Sequence, residues 1–330
     1  MTILFVSGVN DLSKVGLTLD DQGGLGYLID GNCSVHHRLP LREDVAASFL
    51  IFGLGVKQRG IEFKTPPSLI FNQIADADTH RGALQRCIEL CEQVNTLVIN
   101  HPRQVLQTSC DQVSQLLQGI PGVIMPRTQR FQPRSPDDVF SRATAEGFGF
   151  PFITRLAGLH DGKGMIKVDS RESYGALHAL PFDGRDFYMT EYVDCQDEQG
   201  LHHKQRIAVV DGEPVLRHAM FDAKWNIHSG SREFMGTRQS WDEELVYFDR
   251  FNNELLPPMR QAIDEITRRL QLEYYGIDCS LRPDGQMVVF EASANMNFLY
   301  NPYDRIQYRV DAIVDLIHKM LTRYSGERVI

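Results

Sequence analysis

The stretch that most limits how this chain can fold is YYGIDCSLRPDGQMVVFEASANMN, residues 274–297. Two mostly apolar runs flank a Pro-Asp-Gly sequence, which predicts a β-hairpin. Asp278 and Glu291 interrupt the apolar runs, and Ser293, Asn295 and Asn297 follow at alternate positions. With a two-residue Asp284-Gly285 turn, Leu281 opposes Val288, Cys279 opposes Phe290 and Asp278 opposes Glu291. Two carboxylates side by side repel unless they share a cation or a proton. A three-residue Pro-Asp-Gly loop shifts the register by one and separates them. Pro283 has no amide hydrogen to close the tighter turn, so both registers stay open. Hard cations such as Mg²⁺ take carboxylate and amide oxygens, which Asp278, Glu291 and Asn295 can offer, with a hydroxyl from Ser293. The plainer roles are a solvated edge acid for Asp278 and a salt-bridge partner for Glu291.

At 330 residues the chain is too long for one ordinary core, so two or three subdomains are expected. A net charge of −9 argues against broad binding to nucleic acid or to anionic membrane, though one local basic pocket is compatible with it. Six cysteines are irregularly spaced without a Cys-x-x-Cys pair, and Cys87 and Cys91, four apart on an expected helix, read as packing residues. The opening MTILFVSGVND is too short an apolar run for a secretion signal and lacks a basic region. With no 18-residue apolar stretch either, a cytoplasmic protein is expected.

TILFVSG, SLIFNQI (68–74) and TLVIN (96–100) read as buried strands, and HRGALQRCIELCEQV between the last two has helical spacing. That alternation predicts a small parallel α/β unit. Residues 129–140, with Pro133 and Pro136 in mixed charge, read as a loop or boundary. FPFITRLAGLHDGKGMIKV (150–168) reads as strand, glycine-rich loop and strand. DFYMTEYVD is another strand, KQRIAVVDGEPVLRHAMF a hairpin around Asp211-Gly212, and helices are expected over 254–272 and 310–324.

Gly158, Gly162 and Gly164 free that loop's backbone to approach phosphate oxygens, with Lys163 or Lys167 adding charge. The spacing does not match a Walker-type loop, because no Ser or Thr follows Lys163. Arg155 sits inside an apolar strand, as does Arg206, and Lys204 shares the Arg206 face; such guanidinium groups meet an anion or a neighbouring acid. His101, His160, His218 and His228 are scattered and read as structural residues. No Gly-x-Ser-x-Gly elbow is present.

Taken in order, these segments resemble the ATP-grasp superfamily, over roughly residues 96–320. VINHPRQVLQTSCDQVSQLLQGIPGVIMPRT resembles the segment introducing the ATP-grasp module, with Asn100 and Pro102 where members often read Asn-x-Pro. FPFITRLAGLHDGKGMIKV resembles the phosphate-binding strand and flexible loop, MTEYVD the adenine hinge, KQRIAVVDGEPV the strand with an Arg near the γ-phosphate, and the opening hairpin the metal-binding hairpin. The nearest branch is that of glutathione-synthetase-like and ribosomal-protein-glutamate-ligase-like carboxylate–amine ligases.

The resemblance implies an α/β (α+β) fold: an N-terminal α/β pre-ATP-grasp unit (1–125), an ATP-grasp lid subdomain (126–195), and a C-terminal ATP-grasp subdomain with the metal hairpin (196–330), the two-part module having antiparallel sheets. It implies that Asp278 and Glu291 hold Mg²⁺, or Mn²⁺ in its place, and that Arg155 stands where many members have a phosphate Lys. Gly162, Lys163, Gly164 and Lys167 would cover the phosphates; Glu191, Tyr192 and Val193 would receive adenine; Arg206 and Lys204 would act at the γ-phosphate. Two departures stand out. The usual Glu-x-Asn reads Glu291-Ala-Ser293, leaving Ser293 and Asn295 as alternative ligands, and an early nucleotide-binding Lys is replaced near Cys110 or Gln112. The implied activity is ATP-dependent joining of a small-molecule or peptide carboxylate to an amine through an acyl phosphate, with a homodimer as one option for assembly. A non-catalytic nucleotide- or peptide-binding protein and an ATP-dependent phosphotransferase are the alternatives.

Overall fold

The computed structural model describes residues 2–19, 24–41, 46–53, 63, 65–160, 162, 164–237, 241–282, 284–301 and 306–325. The first third of the chain gives β1 (Thr2–Gly8), β2 (Gly16–Leu19), β3 (Leu25–Leu28), β4 (Ala46–Phe52), β5 (Leu69–Asn72), α1 (Arg81–Val94) and β6 (Leu97–Ile99). Strands β4-β1-β5-β6 form a parallel sheet in that order. Strand β1 is buried from Ile3 to Gly8, as its unbroken apolar run demands of a strand inside a parallel sheet. Helix α1 turns Leu84, Cys87, Ile88 and Cys91 into the core and ends on Asn95 in the left-handed conformation. The hairpin β2–β3 is a separate two-stranded sheet.

Next come α2 (Pro102–Val105), α3 (Cys110–Leu116), β7 (Val123–Ile124), β8 (Thr128–Phe131), α4 (Pro136–Ala145), β9 (Phe152–Leu156), β10 (Ile166–Val168), α5 (Tyr174–Leu177) and β11 (Phe187–Glu191). Strands β10-β9-β11-β8 form an antiparallel sheet. It packs on α4 through a core of its own that includes Val139, Phe140, Phe152, Val168 and Phe187. The loop expected over 129–140 is therefore a strand followed by a helix start. Ser135 accepts a hydrogen bond from the Asp138 amide, Pro136 occupies the first turn, and Asp137 and Asp138 favour the helix's positive end.

The remainder folds as β12 (His202–Val210), β13 (Glu213–Asp222), α6 (Ser231–Thr237), α7 (Trp241–Arg250), α8 (Leu256–Leu270), β14 (Tyr274–Leu281), β15 (Met287–Ser293) and α9 (Gln307–Ser325). The sheet order is β13-β12-β14-β15-β7, antiparallel except for the parallel β15–β7 pair. One hydrophobic core runs from the N-terminal parallel sheet into this one, uniting Phe5 and Phe71 with Tyr274, Ile277 and Phe298. Asn100 links the two sheets: its side-chain amide donates to the Tyr274 carbonyl (2.6 Å), and its side-chain oxygen accepts from the Tyr274 amide (2.9 Å). No helix among the described residues is long and apolar enough to cross a membrane.

Candidate functional site

Both registers weighed for the β14–β15 hairpin occur, one after the other. At the turn the loop is the three-residue kind: the Arg282 amide donates to the Gln286 carbonyl (2.9 Å) and the Gly285 amide to the Arg282 carbonyl (3.0 Å). Pro283 itself lies outside the described residues. Leu281 then faces Met287, Ser280 faces Val288 and Cys279 faces Val289. A bulge at Phe290 shifts the pairing by one, so Asp278 faces Glu291 after all. Phe290, the extra residue, is 41% exposed.

Asp278 is almost fully buried. Arg206, directly across from it on β12, grips it with two bonds (Nε to Oδ1, 2.6 Å; Nη2 to Oδ2, 2.8 Å), and Lys204 Nζ lies 2.9 Å from Oδ2. Burial alone would raise the carboxyl's pKa; the charges of Arg206 and Lys204 overcome that and hold it far below the usual carboxylate range. His218, on β13 and paired with Arg206, is kept neutral by burial and by the nearby Arg206 and Arg232 charges, which push its pKa well down. Opposite Asp278, the half-buried Glu291 accepts a hydrogen bond from the Ser293 hydroxyl (2.9 Å).

The β9–β10 glycine loop lies against both neighbouring parts of the fold. Gly158 has φ +72°, and a Cβ there would stand 2.6 Å from Thr79 Cγ2 of the N-terminal unit. The Gly162 carbonyl accepts from Asn226 Nδ2 (3.0 Å), on the loop after β13. Between them, His160 Nε2 lies 3.0 Å from Asp76 Oδ2 and 3.0 Å from the Asn295 side-chain amide. For Asp76, burial alone would raise the pKa, but bonds to His160 and Thr79 bring it down to about 2. For His160, burial alone would lower it, but Asp76 and Glu291 raise it. Gly164 follows just before β10, and Lys163 lies outside the described residues.

Arg155, on β9, donates to the Leu159 carbonyl (2.7 Å) and to Cys110 Sγ (2.9 Å). The Cys110 thiol is pushed up to about 12 by burial, so it stays a neutral partner for the guanidinium. Arg155 also lies 5.2 Å from the centre of the Tyr188 ring. Next to it, Arg130 is enclosed by Asp78, Asp111, Asp186 and the Tyr188 hydroxyl. Burial opposes its charge, but Asp78 and Asp186 more than offset that and raise its pKa. Asp76, Asp78, Arg130, Tyr188 and Asn226 were absent from the sequence-derived set, and His160 was assigned a structural role. The density of acids in IADADTHR, residues 74–81, is a local signal for Asp76 and Asp78 alone.

The hinge residues divide by role. Glu191 is held by Arg127: Nε donates to its Oε1 (3.0 Å) and the Arg127 amide to its Oε2 (3.2 Å). Tyr192 lies under the Lys167 ammonium, 4.2 Å from the ring centre, and edge-on to Trp225. Lys167 also pairs with Asp169 (3.2 Å), and the Val193 carbonyl accepts only a weak bond from the Cys195 thiol (3.6 Å). A cavity of about 340 Å³ opens between α3 and β8, with Gln115, Arg127 and Glu191 in its wall and none of the residues around Asp278. Thus Arg206, Asp278 and Glu291 lie side by side across the middle of β12 and β14 and the end of β15, with Lys204 and Ser293 beside them, and Asn295 meets the glycine loop through His160. Glu191, Tyr192 and Val193 occupy the end of β11 and the segment after it.

No protein-family model matches the chain, and no curated protein sequence does. Its fold is similar to several solved structures. A D-alanine–D-alanine ligase from Bacillus anthracis, crystallised with ATP, superposes with TM-score 0.56 at 13% identity, covering 99% of this chain and 98% of that one. A D-Ala:D-Ser ligase from Enterococcus faecalis gives TM-score 0.57 at 13% identity, over 98% and 99%. A RimK-domain ATP-grasp protein from Sphaerobacter thermophilus gives 0.52 at 11% identity, over 95% and 97%.

Proposed function

We propose, from the premise that this chain has the ATP-grasp fold, that it is an ATP-dependent ligase joining a carboxylate to an amine. The observation that carries the proposal is the Phe290 bulge. It restores Asp278 to its place opposite Glu291, with Arg206 and Lys204 alongside, at the one point of the hairpin where two acids would otherwise be pulled out of register. A hairpin with a purely structural task gains nothing from a bulge that brings two carboxylates together.

In this reading ATP lies between the glycine loop and the C-terminal sheet, with adenine at residues 191–193. The donor set fits a hard divalent cation: Asp278 is held ionised, Glu291 faces it, and Ser293 and Asn295 supply neutral oxygens. Mg²⁺ or Mn²⁺ bound there would offset charge on the phosphates. Arg206 and Lys204, now occupied by Asp278, would turn toward the γ-phosphate and stabilise the charge that builds on it during transfer. Arg155 would hold the inner phosphates from the lid side. A substrate carboxylate oxygen attacks the γ-phosphorus, the bond to ADP breaks, and an acyl phosphate forms. The amine nitrogen then attacks the acyl carbon, phosphate leaves, and the nitrogen gives up a proton as the amide forms. The glycine loop, clasped by His160–Asp76 and Gly162–Asn226 contacts, would exclude water that would hydrolyse the acyl phosphate.

A second reading is supported by the Ser293 hydroxyl, which sits on Glu291 where a ligand amide is usual: a protein that binds nucleotide without turning it over. One experiment separates the two. The chain is incubated with ATP, Mg²⁺ and paired panels of amino acids, short peptides, simple carboxylates and amines, and phosphate is measured. Release that requires both an acid and an amine supports the ligase; nucleotide binding without such release supports the second reading.

A further inference from the structure

The hairpin β2–β3 is the least explained part of the molecule. Leu17 pairs across the strands with Tyr27 and Leu19 with Leu25, so all four point to one face. They are 67%, 71%, 69% and 64% exposed, and none joins a hydrophobic core among the described residues. The opposite face carries Gly16, Thr18 and Gly26 beside Leu28. No charged residue occurs in 15–19 or 24–29, in a chain that is 23% charged. Among the described residues the sheet has only two strands, so each keeps an outer edge open to a further strand. An isolated two-stranded hairpin with an uncovered apolar face is marginal by itself.

Its position narrows the choice of occupant. One foot is Asp11, whose amide donates to the Thr79 carbonyl (2.7 Å) and whose carboxylate caps α1 by accepting from the Arg81 and Gly82 amides. The other foot is Gly31, whose carbonyl accepts from the Ala75 and Asp76 amides. Both feet therefore stand on residues 75–82, the loop whose Asp76 meets His160 of the glycine loop. The base of the hairpin is therefore tied to the same loop that meets the glycine loop through Asp76 and His160. Its four side chains offer on the order of 500 Å², taking roughly 150–250 Å² for a large side chain. A stable dimer buries about 800 Å² per partner, so the face is too small to be a dimer interface unaided. A short extended segment needs less, because an open strand edge adds backbone hydrogen bonds to the apolar contact.

We propose that the β2–β3 hairpin is a docking arm for an extended, uncharged, apolar segment of a peptide substrate, tying that segment to the loop that meets the glycine loop. The word substrate rests on the ligase reading; the docking does not. The test uses random decapeptides displayed against the full chain and against a Leu17→Ser/Tyr27→Ser variant, both without nucleotide. ATP affinity in the presence of Mg²⁺ is measured separately by calorimetry, and oligomeric state by sedimentation. The serines replace exposed side chains, and matching thermal melts show that the variant is folded. Expected are retained peptides enriched in apolar residues, binding the variant at least tenfold more weakly, with ATP affinity unchanged within twofold. Equal binding to both proteins, retention of no apolar peptides, or a wild-type dimer that the variant converts to monomer would each overturn the proposal. Failure of the wild type to bind ATP would overturn the ligase reading alone, since docking is read without nucleotide.

Discussion

Asp278→Asn and Glu291→Gln are similar changes on paper, and the structure makes them very different. Asp278 is buried and lies between two cations, Arg206 at 2.6 and 2.8 Å and Lys204 at 2.9 Å. Asparagine keeps the shape and removes the charge, leaving a guanidinium and an ammonium facing each other. Breaking a fully buried pair costs about 3–5 kcal/mol. Because the Arg206 and Lys204 side chains each retain 21% exposure, water recovers part of that, and about 2–3 kcal/mol is expected. Glu291 is half-buried and bonded to the Ser293 hydroxyl, so Glu291→Gln should cost less than about 1 kcal/mol. Urea unfolding followed by tryptophan fluorescence and by circular dichroism would read the difference as a midpoint about 1 M lower for Asp278→Asn. Coincidence of the two probes checks that one transition is being measured. The pH dependence has a definite sign. A carboxyl held far below its ordinary value contributes stability above about pH 4, losing it only as pH falls toward its folded-state pKa, so the gap between wild type and Asp278→Asn should be constant from pH 6 to 8 and shrink in acid. Equal stability of the two variants, or an Asp278→Asn protein as stable as wild type, would refute the reasoning. Both variants should lose metal-dependent ATP turnover, which ties the two acids to one function despite their unequal structural weight.

Arg206→Ala should lower the turnover rate at saturation more than it weakens ATP binding, since its charge matters most as the γ-phosphate transfers; the opposite split would make it a ground-state anchor. Asn295→Ala should raise the Mg²⁺ concentration needed for half-maximal turnover more than Ser293→Ala does, because the Ser293 hydroxyl is engaged by Glu291; the reverse order would move the ligand to Ser293. At Gly158 (φ +72°), where an added Cβ would meet Thr79 Cγ2 at 2.6 Å, alanine is expected to loosen the glycine loop, giving faster proteolytic cleavage within 157–165 and a turnover loss of roughly tenfold. Wild-type cleavage and turnover in that variant would mean the close approach has no part in closure. Carboxylate substrate labelled with ¹⁸O should pass one label to orthophosphate, with ADP as co-product; AMP and pyrophosphate, or unlabelled phosphate despite amide formation, would exclude the acyl phosphate.

The elements that the sequence made legible are those whose local signals agree. Strand β1 matches its apolar run residue for residue, and α1 its helical spacing, because burial there follows directly from pattern. The start of α4 was also written in Ser135-Pro136-Asp137-Asp138, a cap, a first-turn proline and two acids, but the prolines and mixed charge around it read equally as a boundary. The hairpin register was undecidable for a physical reason: turn chemistry and side-chain alternation favoured different answers, and the chain satisfies both by inserting Phe290. A bulge of that kind leaves no mark in a periodicity. Arg155, Arg206 and Lys204 stood out as charges in apolar strands, whereas Asp76, Asp78 and Arg130 sit in short segments where acids and bases are ordinary. Their importance comes from distant partners, Asp78 to Tyr188 and Asp76 to His160, which local sequence does not encode.

Charge balance around the glycine loop explains why a divalent cation belongs to the proposed reaction. Among the described residues, the basic groups there have partners: Arg206 and Lys204 share Asp278, Arg130 has Asp78, Asp111 and Asp186, His160 has Asp76, and Arg155 has the Leu159 carbonyl and the Cys110 thiol. A triphosphate entering this setting meets Arg206 and Lys204 already turned to one shared carboxylate, Arg155 with two neutral partners, and acids that repel it. Turning Arg206 and Lys204 toward the phosphates would release Asp278 as an uncompensated buried carboxylate, across the strands from Glu291. In the proposed reaction Asp278 and Glu291 would hold a Mg²⁺ that arrives with the nucleotide, and its charge would compensate both the carboxylate that Arg206 and Lys204 leave and the phosphates. Nucleotide without metal should therefore bind poorly to the wild-type chain. In Asp278→Asn, which has no carboxylate to leave stranded, metal-free nucleotide should bind better than it does to wild type, even though turnover is lost. Calorimetric titration of ATP in the presence of a chelator compares the two proteins directly, and metal-free binding that is weaker in the variant than in wild type would show that Arg206 and Lys204 do not exchange Asp278 for phosphate.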